Sequence, residues 1–403
     1  MLRHIQVESN MSLTGANADS RIRLKPSAVL KTLTEVYKGL NGGTADKNAA
    51  SIVKELQAKG SNAVVFADGS KAAIVLSHLI NQKLASAAFT GEASYLKEYD
   101  GARYNEFLTW LKGGQVGTLI INDVNPIYSS KDGAAFKAAL SKAASVISFC
   151  QKKDEVYDAS KAVIPVANWL ESWADIIPQT GVYTLTQPAI QKVFKPRQLE
   201  ESLLVWINGK NSSANNYYNY LKANATTLLN GLSFNKALYN GIAEIASGDG
   251  LSYSGGNAEA AIAEINQIKP SDFELTLYTT TAIGDGTQAN NPWLQELPDP
   301  ISRLSWDNYL TVSPADAEKL GLENNLNGRM QLNGDKVNLT VNGVTVKDIP
   351  VFIQPGQADG SFGLALGYGK YHSGKVAETG INAYPLYDGQ HLIVPNVKIE
   401  KTS

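Results

Sequence analysis

The sequence predicts an α/β fold, with a layered parallel-sheet region over residues 1–270 and a barrel-like β domain over residues 271–403. Three observations predict it. Short apolar runs alternate with helical patterns over roughly 140 residues up to residue 166, the order of parallel strands joined by crossover helices. After Phe273 the period changes to short alternating strands separated by Asn-Gly and Gly-Asp turns. The 403 residues are 43% hydrophobic with 36 basic and 38 acidic side chains, ordinary globular composition with room for a large core.

The elements follow in order. Residues 4–8 (HIQVE) read as a strand that needs neighbours, which leads to the expectation of a longer polypeptide. Residues 27–60 carry two helices, the first with Val29, Leu30, Leu33, Val36, Tyr37 and Leu40 on one face, the second around residues 52–56. Residues 63–67 (AVVFA) read as a strand closed by Asp68-Gly69-Ser70. A helix over residues 71–81 follows, with Ile74, Val75, His78 and Leu79 on its apolar face. Residues 104–112 form a helix ending at Gly113-Gly114, and residues 116–121 (VGTLII) a buried strand closed by Asn122-Asp123-Val124-Asn125-Pro126. A helix at 133–144, strands at 146–150 (VISFC) and 162–166 (AVIPV), and a short helical turn between them complete a layered, Rossmann-like region. Residues 205–265 turn Asn- and Ala-rich, with helices at 215–223 and 238–246 and a loop at 248–256. Beyond 273 the reading gives strands at 273–280, 329–332, 337–341, 344–346 and 349–353. The segment 312–320 contains one short helix, 314–320, with Ser313 as N-cap and Pro314 in its first turn. Asn342-Gly343 is a strong hairpin signal.

The charge balance of −2 excludes a strongly basic nucleic-acid protein. The lone Cys150 closes no internal disulfide and holds neither zinc nor an iron–sulfur cluster alone. His4, His78, His372 and His391 form no metal-spaced pair. The first residues lack the apolar core of a signal peptide, and no run of ~18 apolar residues occurs, so membrane association is expected to run through partners.

Each candidate has a bland alternative. The 122–126 loop suits a phosphate or guanine, yet Asn and Pro there equally start an ordinary βα turn, and the turn is favoured. Cys150 ends an apolar strand, so packing outweighs redox chemistry. His78 reads as a core or boundary histidine, and His372 as a loop residue rather than a proton relay. Glu171 and Asp175 are spaced as a carboxylate pair; beside Trp169 and Trp173 they read as loop anchors. Asp68-Gly69-Ser70 lacks the ending of a P-loop. Asn211, Asn224 and Asn338 head short glycosylation triplets of a kind that arises by chance.

Four segments resemble the large subunits of the molybdopterin oxidoreductase (DMSO reductase-like) superfamily. They are GTLIINDVNPIYS (117–129), DEVYDASKAVIP (154–165), NWLESWAD (168–175) with Gln187-Pro188, and NPWLQELPDP (291–300) with the Ser313–Gly321 stretch. ESNMSLTGANAD (8–19) followed by RIRL (21–24) is similar to one branch, the molybdopterin-like region of the B (iron–sulfur) subunit of alternative complex III, a bacterial quinol:cytochrome c oxidoreductase. The resemblance implies a double-psi β-barrel for the C-terminal domain. It also implies a region without molybdopterin, with the iron–sulfur clusters in another domain of the same subunit. As partners it implies cytochrome c and quinol-binding membrane subunits, at the periplasmic side of the inner membrane.

The departures from the enzymatic pattern point the same way. In cofactor-binding relatives the matching positions line the pterin cleft. Asn125 and Glu155 keep theirs and are the vestigial cofactor-binding positions; no catalytic residue and no metal ligand is expected. Val156 has no hydroxyl to offer, and Lys161, after Ser160, places an ammonium where relatives carry a carboxylate. The expectation is a non-catalytic scaffold that positions the iron–sulfur domain. The alternative is the C-terminal part of an active molybdopterin enzyme of polysulfide or thiosulfate reductase type.

Overall fold

The computed structural model describes residues 2–88, 101–246, 256–328, 332–388 and 393–402. The expected loop at 248–256 and strand at 329–332 lie largely outside these residues, and His391 wholly so. The chain is a mixed α/β protein and packs as two units. One comprises Met1–Phe89, Tyr128–Gly133 and Gly255–Ser403; the other comprises Thr90–Ile127 and Ala134–Ser254. The sequence boundary at 270 marks a change of periodicity, whereas the units follow packing.

In the first unit, β1 (Ile5–Glu8) and β2 (Ser20–Arg23) pair in parallel through the one-turn helix α1 (Leu13–Ala16). Glu8 ties this crossover together by accepting from the Arg21 guanidinium and the Ser12 hydroxyl. The two helices expected in 27–60 are α2 (Pro26–Leu40) and α3 (Lys47–Lys59). The strand expected at 63–67 is absent. Asn81 substitutes for a neighbouring strand there, its Oδ1 accepting from the Val65 N–H and its Nδ2 donating to the Val65 carbonyl, both at 2.8 Å. With only that clamp the run stays irregular and Phe66 is 88% exposed. The next helix, α4 (Lys71–Leu84), is capped by Ser70 but buries a different face from the expected one. Ala73, Leu76, Ile80 and Leu84 face inward, Ile74 is exposed, and His78 is half-buried with Nδ1 2.9 Å from the Ile74 carbonyl. Small Ala72 and Ala73 let α4 approach neighbouring helices closely, so they occupy the interior and displace the larger side chains to the flank.

The second unit holds the layered region. It runs α5 (Gly101–Lys112), β3 (Thr118–Asn122), α6 (Gly133–Leu140), β4 (Ser145–Cys150), α7 (Glu155–Ala159) and β5 (Ala162–Pro165). The three strands form a parallel sheet in the order β3-β4-β5, with Ile120 opposite Ile147 and Phe149 opposite Ile164. Ile121 and Val146 pack with Leu111, Phe136, Leu140 and Val156. An antiparallel hairpin absent from the sequence reading follows, β6 (Ala174–Gln179) and β7 (Val182–Thr186). Three helices come next, α8 (Leu199–Asn208), α9 (Tyr217–Leu228) and α10 (Phe234–Asn240). The helix expected over 238–246 stops at Asn240, where Gly241 takes a left-handed cap at φ 73°. The chain then continues as β8 (Ile242–Glu244), which pairs with β7.

Back in the first unit, α11 (Ala258–Gln267) packs on α2 and α4. The β-rich part comprises β9 (Glu274–Thr279), α12 (Pro292–Glu296), β10 (Leu310–Val312), α13 (Pro314–Leu320), β11 (Asn324–Leu326), β12 (Leu332–Gly334) and β13 (Lys336–Val341). It continues with β14 (Val344–Ile353), β15 (Ser361–Leu366), β16 (Ile393–Pro395) and β17 (Lys398–Lys401). Seven strands in the order β16-β9-β15-β10-β14-β13-β17 curl into a half barrel around Leu275, Leu277, Leu310, Leu339, Phe362 and Leu364. Ser313 caps α13 as expected, its Oγ accepting from the Asp316 N–H. Asn342 and Gly343 both have positive φ, the conformation an Asn-Gly hairpin turn requires. The two strands expected at 344–346 and 349–353 are one, β14, bulged where Asp348 takes φ 57°. The fully buried β15 was not anticipated.

Candidate functional site

The carboxyl edge of the β3-β4-β5 sheet gathers the residues singled out in the sequence. Parallel strands deliver the loops after β3, β4 and β5 to one edge, where α/β proteins place ligands. Asn125 lies in the first loop. Its Nδ2 donates to Glu155 Oε2 at 2.6 Å and to Asp154 Oδ2 at 3.2 Å. Asp154 also caps α7, accepting the Tyr157 N–H at 2.9 Å, and Glu155 is buried. The third loop is tied in by Asn168, whose Nδ2 donates to Gln151 Oε1 at 3.1 Å. Asn125 and Glu155 are thus brought together, and onto each other.

Several polar groups at this edge are already engaged with one another. Phosphate sites use free N–H groups at a helix start, and at α7 the Tyr157 N–H is taken by Asp154. Asn125 spends both amide hydrogens on carboxylates. Burial pushes up the Cys150 thiol, and the nearby Asp154 and Asp123 add to it. Lys153 is turned to Asp158 at 3.3 Å.

Two matched positions fall elsewhere. Val156 points into the core, so its missing hydroxyl opens no gap at the edge. Lys161 directly precedes β5 and therefore sits at the opposite, amino edge, where its ammonium donates to the Ala144 carbonyl. Its charge does not reach the Asn125 loop, so the exchange of carboxylate for ammonium expected to matter there acts at the other edge. Glu171 and Asp175 do not pair. Glu171 accepts from the Asn168 and Val193 N–H groups, and Asp175 accepts from the Tyr183 hydroxyl at 2.7 Å, so both anchor backbone or side chain as read. His372 lies in a loop at φ 69°. Among the described residues, no group of three or more His, Cys, Asp or Glu is placed to hold a metal ion, and no helix is long and apolar enough to cross a membrane.

A second cleft was not visible in the sequence. It lies in the first unit at the carboxyl ends of the parallel pair β9 and β15, with about 340 Å³ of empty volume including its open mouth. Tyr278, Tyr309 and Tyr368 line it with Asp299 and Asp307. Asn308 builds the floor, donating to the Ala365 and Ile381 carbonyls and accepting the Ile381 N–H. Asp299 Oδ1 organises its own loop by accepting from the Ile301 and Ser302 N–H groups. Tyr309 meets the Ser302 hydroxyl, and Tyr368 lies 3.3 Å from Thr280 Oγ1. Burial, then the neighbouring acids, push all three phenols up and keep them protonated. The five residues come from three separate segments with no short spacing between them, which is why no motif announces the cleft.

No family model and no curated protein matches this sequence. Among solved structures the chain is similar to acetylene hydratase from Pelobacter acetylenicus. The TM-score is 0.62 at 10% identity, over 99% of this chain and 74% of that one. The likeness is one of fold.

Proposed function

We propose that the chain is a cofactor-free, non-catalytic domain of molybdopterin-oxidoreductase type that scaffolds a membrane-associated quinol-oxidising complex of the alternative complex III kind. Acetylene hydratase is a molybdopterin-family enzyme, and likeness to its fold supports the superfamily that the sequence motifs resemble. The observation that carries the loss of cofactor is the carboxyl edge, where Asn125 is closed by Asp154 and Glu155. The role is mechanical: holding the iron–sulfur domain of the same subunit in register with cytochrome c and quinol-binding membrane subunits, on the periplasmic face. The test is metal analysis of the intact complex purified from its source. Iron without molybdenum or tungsten is the expected result, and either of the heavier metals in stoichiometric amount overturns the reading.

One observation favours a second reading, the C-terminal part of an active molybdopterin enzyme of polysulfide or thiosulfate reductase type. The fold likeness runs along almost the whole chain, and it is to an enzyme. On that reading the same measurement returns molybdenum or tungsten, with a pterin released on denaturation.

A further inference from the structure

The stretch between β7 and α8, residues 187–197 (QPAIQKVFKPR), holds three cations and no acid. Its backbone is pinned. The Ala189 and Ile190 N–H groups donate to the Leu170 carbonyl at 2.8 and 3.1 Å, which lays the stretch beside the Trp169–Glu171 turn. The buried Glu171 carboxylate accepts the Val193 N–H at 2.9 Å. Gln198 closes the far end on both the N–H and the carbonyl of Trp173. What this frame displays is apolar: Phe194 is 80% exposed, Val193 69% and Trp169 68%. A buried carboxylate thus helps to hold large apolar side chains out in water, and grouped exposure of this kind marks an interaction surface. Lys192 lies 3.4 Å from Glu201, while Lys195 and Arg197 are exposed and form no ion pair among the described residues.

We propose that this tip docks on an anionic lipid bilayer, with Val193 and Phe194 entering the boundary between headgroups and acyl chains and Lys195 and Arg197 meeting lipid phosphates. The charge beside the apolar tip is of one sign and complements an anionic lipid surface. The Ala189, Ile190 and Val193 N–H groups are engaged within the unit. The tip therefore offers apolar bulk and charge with little directional hydrogen bonding, whereas protein interfaces carry about one hydrogen bond per 100–200 Å². Trp169, beside the tip, is the residue type that collects at headgroup level. The contact is made by this chain itself and does not rest on the partner subunits proposed above.

The test is co-sedimentation of the full chain with lipid vesicles, either pure phosphatidylcholine or containing about 30% phosphatidylglycerol, in ~0.1 M salt. Binding to the anionic vesicles is expected, about tenfold stronger than to the neutral ones and weakened by added salt. Phe194→Ser should lower it about tenfold through lost apolar insertion. Lys195→Gln with Arg197→Gln should lower it by a similar factor and flatten the salt dependence. These side chains are exposed, so both variants should keep the parent's thermal midpoint. No binding to anionic vesicles would overturn the proposal and assign the tip to a protein partner. Equal binding to both vesicle types, or binding that survives both variants, overturns it as well.

Discussion

Asn125 and Glu155 show how one side chain decides the character of an edge. Glu155 is buried, and Asn125 is the donor that stands against it at 2.6 Å. Asn125→Ala should leave that carboxylate without this partner and destabilise the chain by about 1–3 kcal/mol, read as a lower urea midpoint at unchanged slope. Both positions were legible because a loop that follows an apolar strand in an alternating pattern must fall at the carboxyl edge. Which atoms meet there was not legible, since it depends on strand register. Lys161 shows the opposite failure. Motif matching orders residues along the chain, but a residue just before a strand belongs to the amino edge. The cluster of Tyr278, Tyr309 and Asp299 was hidden because closure of the half barrel, rather than local spacing, assembles it.

At the level of elements, helix α2 begins with Pro26 and no side-chain cap of its own. The cap comes from 247 residues away. Glu274, the first residue of β9 and 1% exposed, accepts the Ser27 N–H at 2.8 Å and the Ser27 hydroxyl at 2.7 Å. A carboxylate there also faces the positive end of the helix. Glu274→Ala should cost about 1–3 kcal/mol. Hydrogen exchange should locate the loss, with faster exchange in the first turn of α2 and at the start of β9 and little change in the second unit. Helices were the most legible elements, since their period persists over several turns. Short apolar runs were ambiguous: residues 63–67 have the composition of a strand but only Asn81 to pair with. The β6–β7 hairpin escaped notice because Pro178 interrupts it and its alternation is weak. β15 was missed because Gly363 and Ala365 lower its apparent hydrophobicity.

For the molecule as a whole, the α/β class was legible from periodicity alone. The grouping of α2 and α4 with α11 was not, because residues far apart in the chain, such as Leu30 and Ile265, make that core. Acid stability is a further whole-molecule property. Lys401, 2.6 Å from Asp335, holds that carboxyl below the usual range. Its contribution is therefore present above the unfolded value of ~3.9 and lost as pH falls through the lower folded value. Asp335→Asn should lower stability near neutrality by about 0.2–1 kcal/mol and flatten the acid limb, checked by urea midpoints across pH. The same lysine bears on how copies of this chain behave toward one another. β17 is the last strand of the curled sheet, and Lys398, Glu400 and Lys401 stand exposed along it. A second molecule aligning there to lengthen the sheet would have to strip water from those charges, so filament growth from that margin is discouraged at its first step.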